Sequence, residues 1–178
     1  MLITTVACVS SRPLVLSERY GTPATTAQRP DRNVNAAPCF ASIDSIADSR
    51  SDRATFGTVA GRRVHPPENV AAWLQNTLEA LGNHGITIKS AAVKFPGTIA
   101  IHAELLTAWV SDLRSSRTAN IVLRVTYGEN GSPILYRGTA NGINWSSGDS
   151  ELQHMIDKAL TEIVDTMSRD IVKLCKAS

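Results

Sequence analysis

The chain has few aromatic residues, few cysteines, little net charge and no long apolar run. Aromatic side chains make up only 5% of its 178 residues, too few for the stacking surfaces that bind single-stranded nucleic acid. A formal charge of +2 does not indicate a polyanionic partner, and three cysteines cannot form a disulfide scaffold. No apolar run approaches the ~20 residues of a membrane-spanning helix. These absences exclude an integral helical membrane protein, and we expect no nucleic-acid partner.

The composition is that of a folded chain with one core. Hydrophobic residues make up 43% and charged residues 19%, which excludes wholesale disorder. A length of 178 residues favours a single domain. The charge excess lies entirely in residues 1–37, which carry a net +2, because the remaining 141 residues hold 14 basic and 14 acidic side chains. The sequence therefore predicts a basic N-terminal segment followed by a neutral domain.

Residues 1–8 resemble the end of a bacterial lipoprotein signal, in which a small residue precedes the cysteine that receives the lipid. Ala7 is the small residue and Cys8 supplies the thiol. Acyl chains contribute ~0.8 kcal/mol per buried methylene, so several chains form a stable anchor. The stretch before Cys8 has no basic residue and is shorter than the ~7–15 apolar residues of a working signal, as expected if the true start lies upstream of Met1. The alternative is an unmodified cysteine in the frayed end of a cytoplasmic protein.

Residues 9–37 are predicted to be a flexible linker. They lack helical or strand periodicity and contain Pro13, Gly21, Pro23 and Pro30. A coil of this length spans roughly 30 Å on average. We expect it to hold the following domain clear of a bilayer surface.

Residues 38–178 are predicted to form one α+β domain, a mainly antiparallel sheet with two helices on one face. The expected order is strand, helix, strands, helix. The predicted strands and helices are a strand at 39–46, a loose hairpin around Phe56 and Val59, a helix that opens at 66–68 and ends at Gly82 or Gly85, strands at 86–88, 98–110, 119–127 and 133–143, and a final helix from 149 onwards. Asn130-Gly131 indicates a tight hairpin between the last two strands.

These features resemble the YajG-like family of bacterial lipoproteins. The resemblance rests on the element order, on Asp48-x-Arg50 after the first strand, and on the segment from Asn120 to Gly142, and it covers roughly residues 39–170. It implies an envelope lipoprotein tethered through Cys8 that faces the periplasm, with no assigned enzyme activity. Lipoproteins without Asp after the lipidated cysteine usually reach the outer membrane, and residue 9 is Val.

The sequence contains no recognisable catalytic or metal motif. The four histidines do not occur at metal-ligand spacing, and neither Cys-x-x-Cys nor a phosphate loop is present. His102 and Glu104 share one strand face, which suggests an acid–base pair, although an exposed pair on a sheet is the more common situation. Asp48 and Arg50 are expected to cap and pair structurally. We therefore predict no enzyme, no metal and no cofactor.

Cys39 and Cys175 lie at the start of the first strand and near the end of the final helix. If that helix packs beside the strand, a disulfide can form in an oxidising periplasm. The loop it would close is long enough for ~4–5 kcal/mol in the chain-entropy model. The alternative is two small buried thiols.

Trp109 is predicted to face the helices, together with Ile101 and Leu105 of the same strand. The sheet face opposite the helices is predicted to carry an interaction surface made of Leu106, Val110 and Val122. Either Leu135 and Ile143, or Ile134 and Tyr136, would join it from the next strand. A solvated sheet face should be more polar than this, which indicates a protein partner or self-association. The alternative is that the 51–66 loop or the linker covers the face.

The predicted function is therefore that of a non-enzymatic, lipid-tethered envelope protein that acts as an accessory or binding component. Two alternatives stay open. One is an auxiliary or ligand-carrying lipoprotein of a transport system, which would use the cleft between helices and sheet. The other is a cytoplasmic module, if the signal is not genuine.

Overall fold

The computed structural model describes residues 14–16, 38–91, 96–113, 116–143 and 149–177. These residues form eight strands and two α-helices, with a short 3₁₀ turn after the first helix. In chain order they are β1 (Leu14–Val15), β2 (Cys39–Asp48), β3 (Gly57–Val59), β4 (Arg62–His65), α1 (Val70–Glu79), β5 (Ile86–Lys89), β6 (Ile99–Leu113), β7 (Ser116–Tyr127), β8 (Ile134–Ile143) and α2 (Asp149–Ala177). The α+β class and the two helices agree with the prediction.

The sheet is mixed, which corrects the expectation of a mainly antiparallel one. β6, β7 and β8 form an antiparallel meander. On its other edge β6 pairs in parallel with β2 and then, further along, with β3. β2 is also parallel to β5, while β1 is parallel to β4 and β4 antiparallel to β3. Parallel neighbours arise because α1 and the β3–β4 hairpin lie between β2 and β5 in the chain and form a crossover.

Both helices bury their apolar stripes against the same face of the sheet. On α1 the buried side chains are Trp73, Leu74, Thr77 and Leu78. On α2 the stripe extends from Leu152 to Ile171 and joins the same core cluster. Side chains at helical spacing bury one face of an amphipathic helix, so these periodic positions specify the helix layer.

The helix α1 begins later than the predicted opening at 66–68. The Asn69 side chain accepts a hydrogen bond from the Ala72 N–H at 2.9 Å, which makes Asn69 the N-cap. The 3₁₀ turn over Ala80–His84 follows α1, and Gly85 ends it in the left-handed conformation at φ 80°. The helical segment therefore ends at Gly85, the second of the two predicted ends.

Gly138 sets the distance between α2 and the sheet. A Cβ atom at this position would collide with the backbone carbonyl of Ala159. Only glycine lets the helix backbone approach β8 so closely, and the small Ala159 faces it. The contact fixes the position of α2 across the last two strands.

Part of the predicted linker belongs to the domain. Leu14 and Leu16 are 2% and 4% exposed and join the core cluster, and Leu14 pairs with Val64 of β4. The assignment of all of residues 9–37 to a flexible linker is therefore wrong at residues 14–16. Two leucines separated by one residue place both side chains on the same face of a strand.

The β7–β8 hairpin is present, but without the predicted tight turn. The strands stop pairing at Val125 and Ile134, so the connection is longer than two residues. Gly128 has φ 72°, whereas Asn130 and Gly131 are not in the left-handed region that a type I′ turn requires. Within the described residues, no helix has both the length and the apolarity needed to cross a bilayer.

Candidate functional site

A groove lies between the N-terminal half of α1 and the second half of β2. It has a volume of about 320 Å³ and is lined by Ile43, Asp44, Ser45, Ile46, Asn69, Ala71, Ala72 and Gln75. This volume is at the lower end of the ~300–1,000 Å³ of typical small-molecule sites. The groove exists because β5 pairs with β2 only as far as Ser42. Beyond that point, among the described strands, β2 has a neighbour on its β6 side only.

A register shift in β2 gives the groove its polar wall. The β2–β6 ladder slips between Ile43 and Ser45, so Asp44 is an extra residue, as in a β-bulge. The Asp44 carboxylate accepts a hydrogen bond from Ser42 Oγ at 2.6 Å. Among the described residues, no cationic side chain forms an ion pair with this carboxylate.

The groove combines this carboxylate with an apolar wall from Ile43, Ile46 and the two alanines of α1. Ser45 Oγ lies 2.9 Å from His102 Nδ1 on the neighbouring strand. Hydrogen-bond acceptors beside apolar side chains suit a small ligand that has both a cationic group and a short apolar part. The sequence suggested a cleft between helices and sheet as an alternative ligand site, but it did not identify these residues.

His102 and Glu104, the predicted acid–base pair, have separate partners. Glu104 accepts a hydrogen bond from Arg124 Nη1 at 3.1 Å across the β6–β7 ladder, and both side chains are more than 40% exposed. His102 is engaged with Ser45. The structure does not bring the two together as a catalytic pair.

Asp48 and Arg50 form an ion pair that shapes the loop after β2. Arg50 donates from Nε and Nη2 to the two carboxylate oxygens of Asp48 at 2.8 and 2.7 Å. It also donates to the carbonyls of Arg53 and Thr55 and stacks on the Phe56 ring at 4.5 Å. Burial acts to raise the pKa of Asp48, but hydrogen bonds and the charge of Arg50 outweigh it and hold the pKa below its usual value. The predicted structural pairing is therefore present.

A disulfide joins Cys39 and Cys175, the pair considered from the sequence, with their Cα atoms 5.6 Å apart. It fastens the end of α2 to the beginning of β2. Cys39 is 9% exposed and both cysteines contact the core. The third cysteine, Cys8, lies outside the described residues.

The prediction that Val110 belongs to the interaction surface is wrong. It is 1% exposed and belongs to the core, because the β6–β7 register shifts between Leu105 and Thr107. Leu106 is the extra residue of that irregularity, and it inverts the alternation that follows it. Val122 is 8% exposed and Leu106 is half-buried.

The larger exposed apolar side chains on this side agree only in part with those predicted. Trp109, expected on the helix-facing side, is 46% exposed, again because of the shift at Leu106. From β8, Leu135 and Ile143 are 54% and 63% exposed, which matches the first of the two options considered. The rest of this face carries polar pairs such as Thr118 Oγ1 with Asn141 Oδ1 at 2.9 Å. The apolar residues are thus dispersed.

A chain of hydroxyl groups connects the sheet to α2. The Tyr127 and Tyr136 hydroxyls lie 2.9 Å apart, and Tyr136 donates to Asp170 Oδ2 at 3.0 Å. Burial raises the pKa of Tyr136 to about 12 and raises that of Tyr127 as well. The hydrogen bond from Lys173 lowers the pKa of Asp170. Both tyrosines are neutral at physiological pH, so the chain fastens α2 to β8 without supplying a nucleophile.

The described residues contain no group of three or more His, Cys, Asp or Glu side chains that could hold a metal ion. The donor atoms near the groove come from one carboxylate, one hydroxyl and one imidazole.

Comparison with known proteins identifies a shared fold and no family. No family model matches the chain, and no curated protein matches it. The crystal structure of an uncharacterized protein is similar at a TM-score of 0.51 and 10% identity, over 90% of this chain and 96% of that one. The family resemblance to YajG-like lipoproteins thus stays a prediction.

Two more distant structures are similar over most of their length. Protein XCC0632 from Xanthomonas campestris, described as DUF330, has a TM-score of 0.42 and 9% identity over 76% of this chain and 87% of that one. Lipoprotein GNA1162 from Neisseria meningitidis has a TM-score of 0.36 and 13% identity over 73% and 97%. A bacterial lipoprotein is thus among the structural neighbours. At these scores the likeness carries no conclusion about function, and the first structure shows a common fold alone.

Proposed function

We propose that the chain is a non-enzymatic, lipid-tethered protein of the bacterial envelope that faces the periplasm and acts as an accessory or binding component. The observation that carries this proposal is the Cys39–Cys175 disulfide. Disulfides persist in oxidising compartments such as the periplasm and are rare in the cytosol, where thiols are kept reduced. The disulfide therefore favours the envelope over the cytoplasmic alternative.

The tether is assigned to Cys8. Ala7 and the apolar residues before it resemble a lipoprotein signal, and several acyl chains on one thiol give a stable membrane anchor. Because Cys39 and Cys175 are bonded to each other, Cys8 is the one cysteine left to be modified. The Val at position 9 supports the outer membrane as the destination, as in the YajG-like family that the sequence resembles.

A non-enzymatic role is supported by what the polar side chains do. Asp48 and Arg50 hold a loop, Glu104 pairs with Arg124, and the buried tyrosines fasten α2. Each of these side chains is hydrogen-bonded to a partner within the fold. The Ser45–His102 contact lacks a third group, within the described residues, that would orient the imidazole as a general base needs.

The test is localisation of the full-length chain in a bacterium, with the genomic sequence upstream of Met1 included. Cells labelled with radioactive palmitate should yield a labelled protein in the outer-membrane fraction. The Cys8→Ala variant should lose the label and move to the soluble fraction, while Cys175→Ser keeps the label. An unlabelled wild-type protein in the cytosol, with all three thiols free, would refute the proposal.

A second candidate function, ligand carriage for a transport system, is favoured by the groove. Asp44 and its apolar surroundings suit a small organic cation. Titration with primary alkylammonium ions, followed by NMR, should shift the amide signals of residues 43–46 and 69–75. The Asp44→Asn variant should abolish the shifts, whereas Asp165→Asn, an exposed carboxylate on α2, should not. Equal shifts in both variants would exclude the groove as the site.

A further inference from the structure

We infer that two copies of the chain associate edge to edge through β8, as an antiparallel strand pair centred on Thr139. This inference goes beyond the proposed tether and does not depend on it. It follows from the open edge of β8, from the direction of its backbone groups, and from the positions of its exposed apolar side chains.

β8 forms a long sheet edge that lacks the features which usually keep such edges apart. Among the described residues it pairs with β7 alone, over its whole length and without a register shift. Edge strands are commonly protected by proline, lysine, a bulge or a covering element. The ten residues of β8 include neither proline nor lysine. A straight edge of this kind can pair with another strand.

A hydrogen bond from Thr139 identifies the backbone groups of β8 that point outward. The Thr139 N–H donates to Glu162 Oε2 on α2 at 2.9 Å, and so does not point to β7. In an antiparallel ladder the N–H and C=O groups of alternate residues turn away from the neighbouring strand. The odd-numbered residues from Leu135 to Ile143 therefore direct their backbone groups to the open edge. A second copy of β8 must match odd-numbered residues with odd-numbered residues.

The exposed apolar side chains favour one symmetric register. Leu135 and Ile143 are 54% and 63% exposed, and they share one face of β8 because an even number of residues separates them. Thr139 lies midway between them. A two-fold axis at Thr139 places Leu135 of each copy opposite Ile143 of the other, so that each covers a side chain it cannot reach within its own copy. Cross-strand apolar pairs stabilise a sheet, and a two-fold interface forms each pair twice.

The same register satisfies the outward backbone groups. Thr139 lies opposite Thr139 of the second copy, and Arg137 lies opposite Asn141 on either side of the axis. With the two Leu135–Ile143 pairs, five residue pairs each exchange two hydrogen bonds. The ladder therefore contains about ten hydrogen bonds, the number found in a typical stable interface.

Charge does not oppose this register. The two Arg137 side chains lie on opposite sides of the axis, ~14 Å apart along the strands, which exceeds the screening length of ~8 Å at physiological salt. Glu162 has to release the Thr139 N–H so that the central pair can form. Lys158 is exposed one helical turn before Glu162, on the same side of α2. Two lysines therefore accompany the two carboxylates beside the axis.

Association through β8 leaves the groove accessible. The sheet places β7 and β6 between β8 and β2. The groove between β2 and α1 therefore lies on the far side of each copy from the two-fold axis. Each copy of the dimer keeps its own groove for a ligand.

Sedimentation of the full-length chain with Cys8→Ala, which carries no lipid, tests the association. We expect a monomer–dimer equilibrium with a Kd below ~1 mM. Asn141→Pro removes an outward N–H and keeps the ladder with β7, because proline is tolerated where the N–H of an edge strand faces solvent. The loss of two hydrogen bonds per dimer should raise the Kd about tenfold or more. The control Trp109→Lys changes a side chain on β6 that is 46% exposed and should leave the Kd unchanged.

Disulfide formation between copies tests the register. Opposite residues of a hydrogen-bonded pair have Cα atoms ~5.5 Å apart, within the range of roughly 4.4–6.8 Å that a disulfide allows. Thr139→Cys should therefore give a covalent dimer on oxidation. Arg137→Cys alone should not, whereas its mixture with Asn141→Cys should. Cys39 and Cys175 are bonded to each other and take no part.

A chain that sediments as a monomer at ~1 mM would overturn the inference. Association that Trp109→Lys abolishes and Asn141→Pro does not would assign the contact to the sheet face and overturn it as well. Equal crosslinking from positions 137 and 139 would refute the register. Glu162→Ala is a second variant without a proline, and it should lower the Kd several-fold because the Thr139 N–H no longer exchanges one partner for another. Circular dichroism of each variant checks that the fold is intact.

Discussion

Loss of the Cys39–Cys175 disulfide should lower the free energy of unfolding of the domain by several kcal/mol. The bonded residues are 136 positions apart, and for a loop of this length the chain-entropy relation gives ~17 cal/mol/K, or ~5 kcal/mol at 25 °C. A domain of this size loses ~2–4 °C in Tm per kcal/mol. The variant Cys39→Ser with Cys175→Ser should therefore unfold about 10–20 °C below the wild type.

Thermal unfolding followed by circular dichroism, with and without a reducing agent, measures this effect. Reductant should lower the Tm of the wild type to that of the double serine variant and leave the variant itself unchanged. Cys8→Ser is the control, since it removes a thiol that takes no part in the bond. A wild-type Tm that reductant does not change, within about 2 °C of the double variant, would refute both the stabilising role and the loop-closure reasoning.

Three further changes test the packing and the ion pairs. Gly138→Ala should cost at least ~1–3 kcal/mol in urea unfolding, because the added methyl collides with the Ala159 carbonyl; Ala159→Gly, which leaves that carbonyl in place, should not rescue it. Arg50→Ala should lower the free energy of unfolding by about 1–3 kcal/mol, because it removes the hydrogen bonds to Asp48. The pKa of Asp48 is lowered in the folded state. The ion pair therefore adds to the free energy of unfolding above the unfolded pKa of ~3.9, and this addition is lost as the pH falls through the folded pKa. Because Arg50→Ala removes the ion pair, the urea midpoint of this variant should drop less between pH 7 and pH 3 than that of the wild type. Tyr136→Phe should cost ~1 kcal/mol at pH 7, and no loss would mean that the hydroxyl chain does not stabilise α2.

The sequence predicted the helices and the meander because these depend on local periodicity. The stripe of α2 repeats at helical spacing over its whole length, and the alternation of β7 identifies its buried face without knowledge of its neighbours. Parallel pairing could not be predicted in the same way. Whether β2 lies beside β5 and β6 depends on contacts between residues far apart in the chain, which alternation within one strand does not specify.

The errors at Val110 and Trp109 have one cause. An alternating pattern assigns a face to each residue only while the strand has no irregularity, and Leu106 interrupts β6. After the extra residue every assignment is inverted, so the same shift buries Val110 and exposes Trp109. Nothing in the residues around Leu106, where neither Gly nor Pro occurs, indicates such an irregularity.

Some features of the candidate site could likewise be predicted from the sequence, and others could not. Asp48 and Arg50 are two residues apart, so their pairing follows from local geometry, and the disulfide could be considered because its cysteines lie at identifiable ends of a strand and a helix. A cleft between helices and sheet was considered, but its lining residues could not be predicted, because they depend on where β5 stops pairing with β2 at Ser42. β1 was missed because two residues give too short a pattern to distinguish from a linker.

The disulfide and the β3–β4 turn lie at opposite ends of the domain. Cys39 lies at the start of β2, the end at which β6 begins, whereas β1 and the β3–β4 turn lie near the end of β6. The helix α2 has 29 residues, which corresponds to ~43 Å. Its C-terminal end is bonded to β2, and its middle is fixed by the close contact at Gly138. Reduction should therefore loosen the C-terminal end of α2 and the start of β2 first, and leave β1 and the β3–β4 turn unchanged.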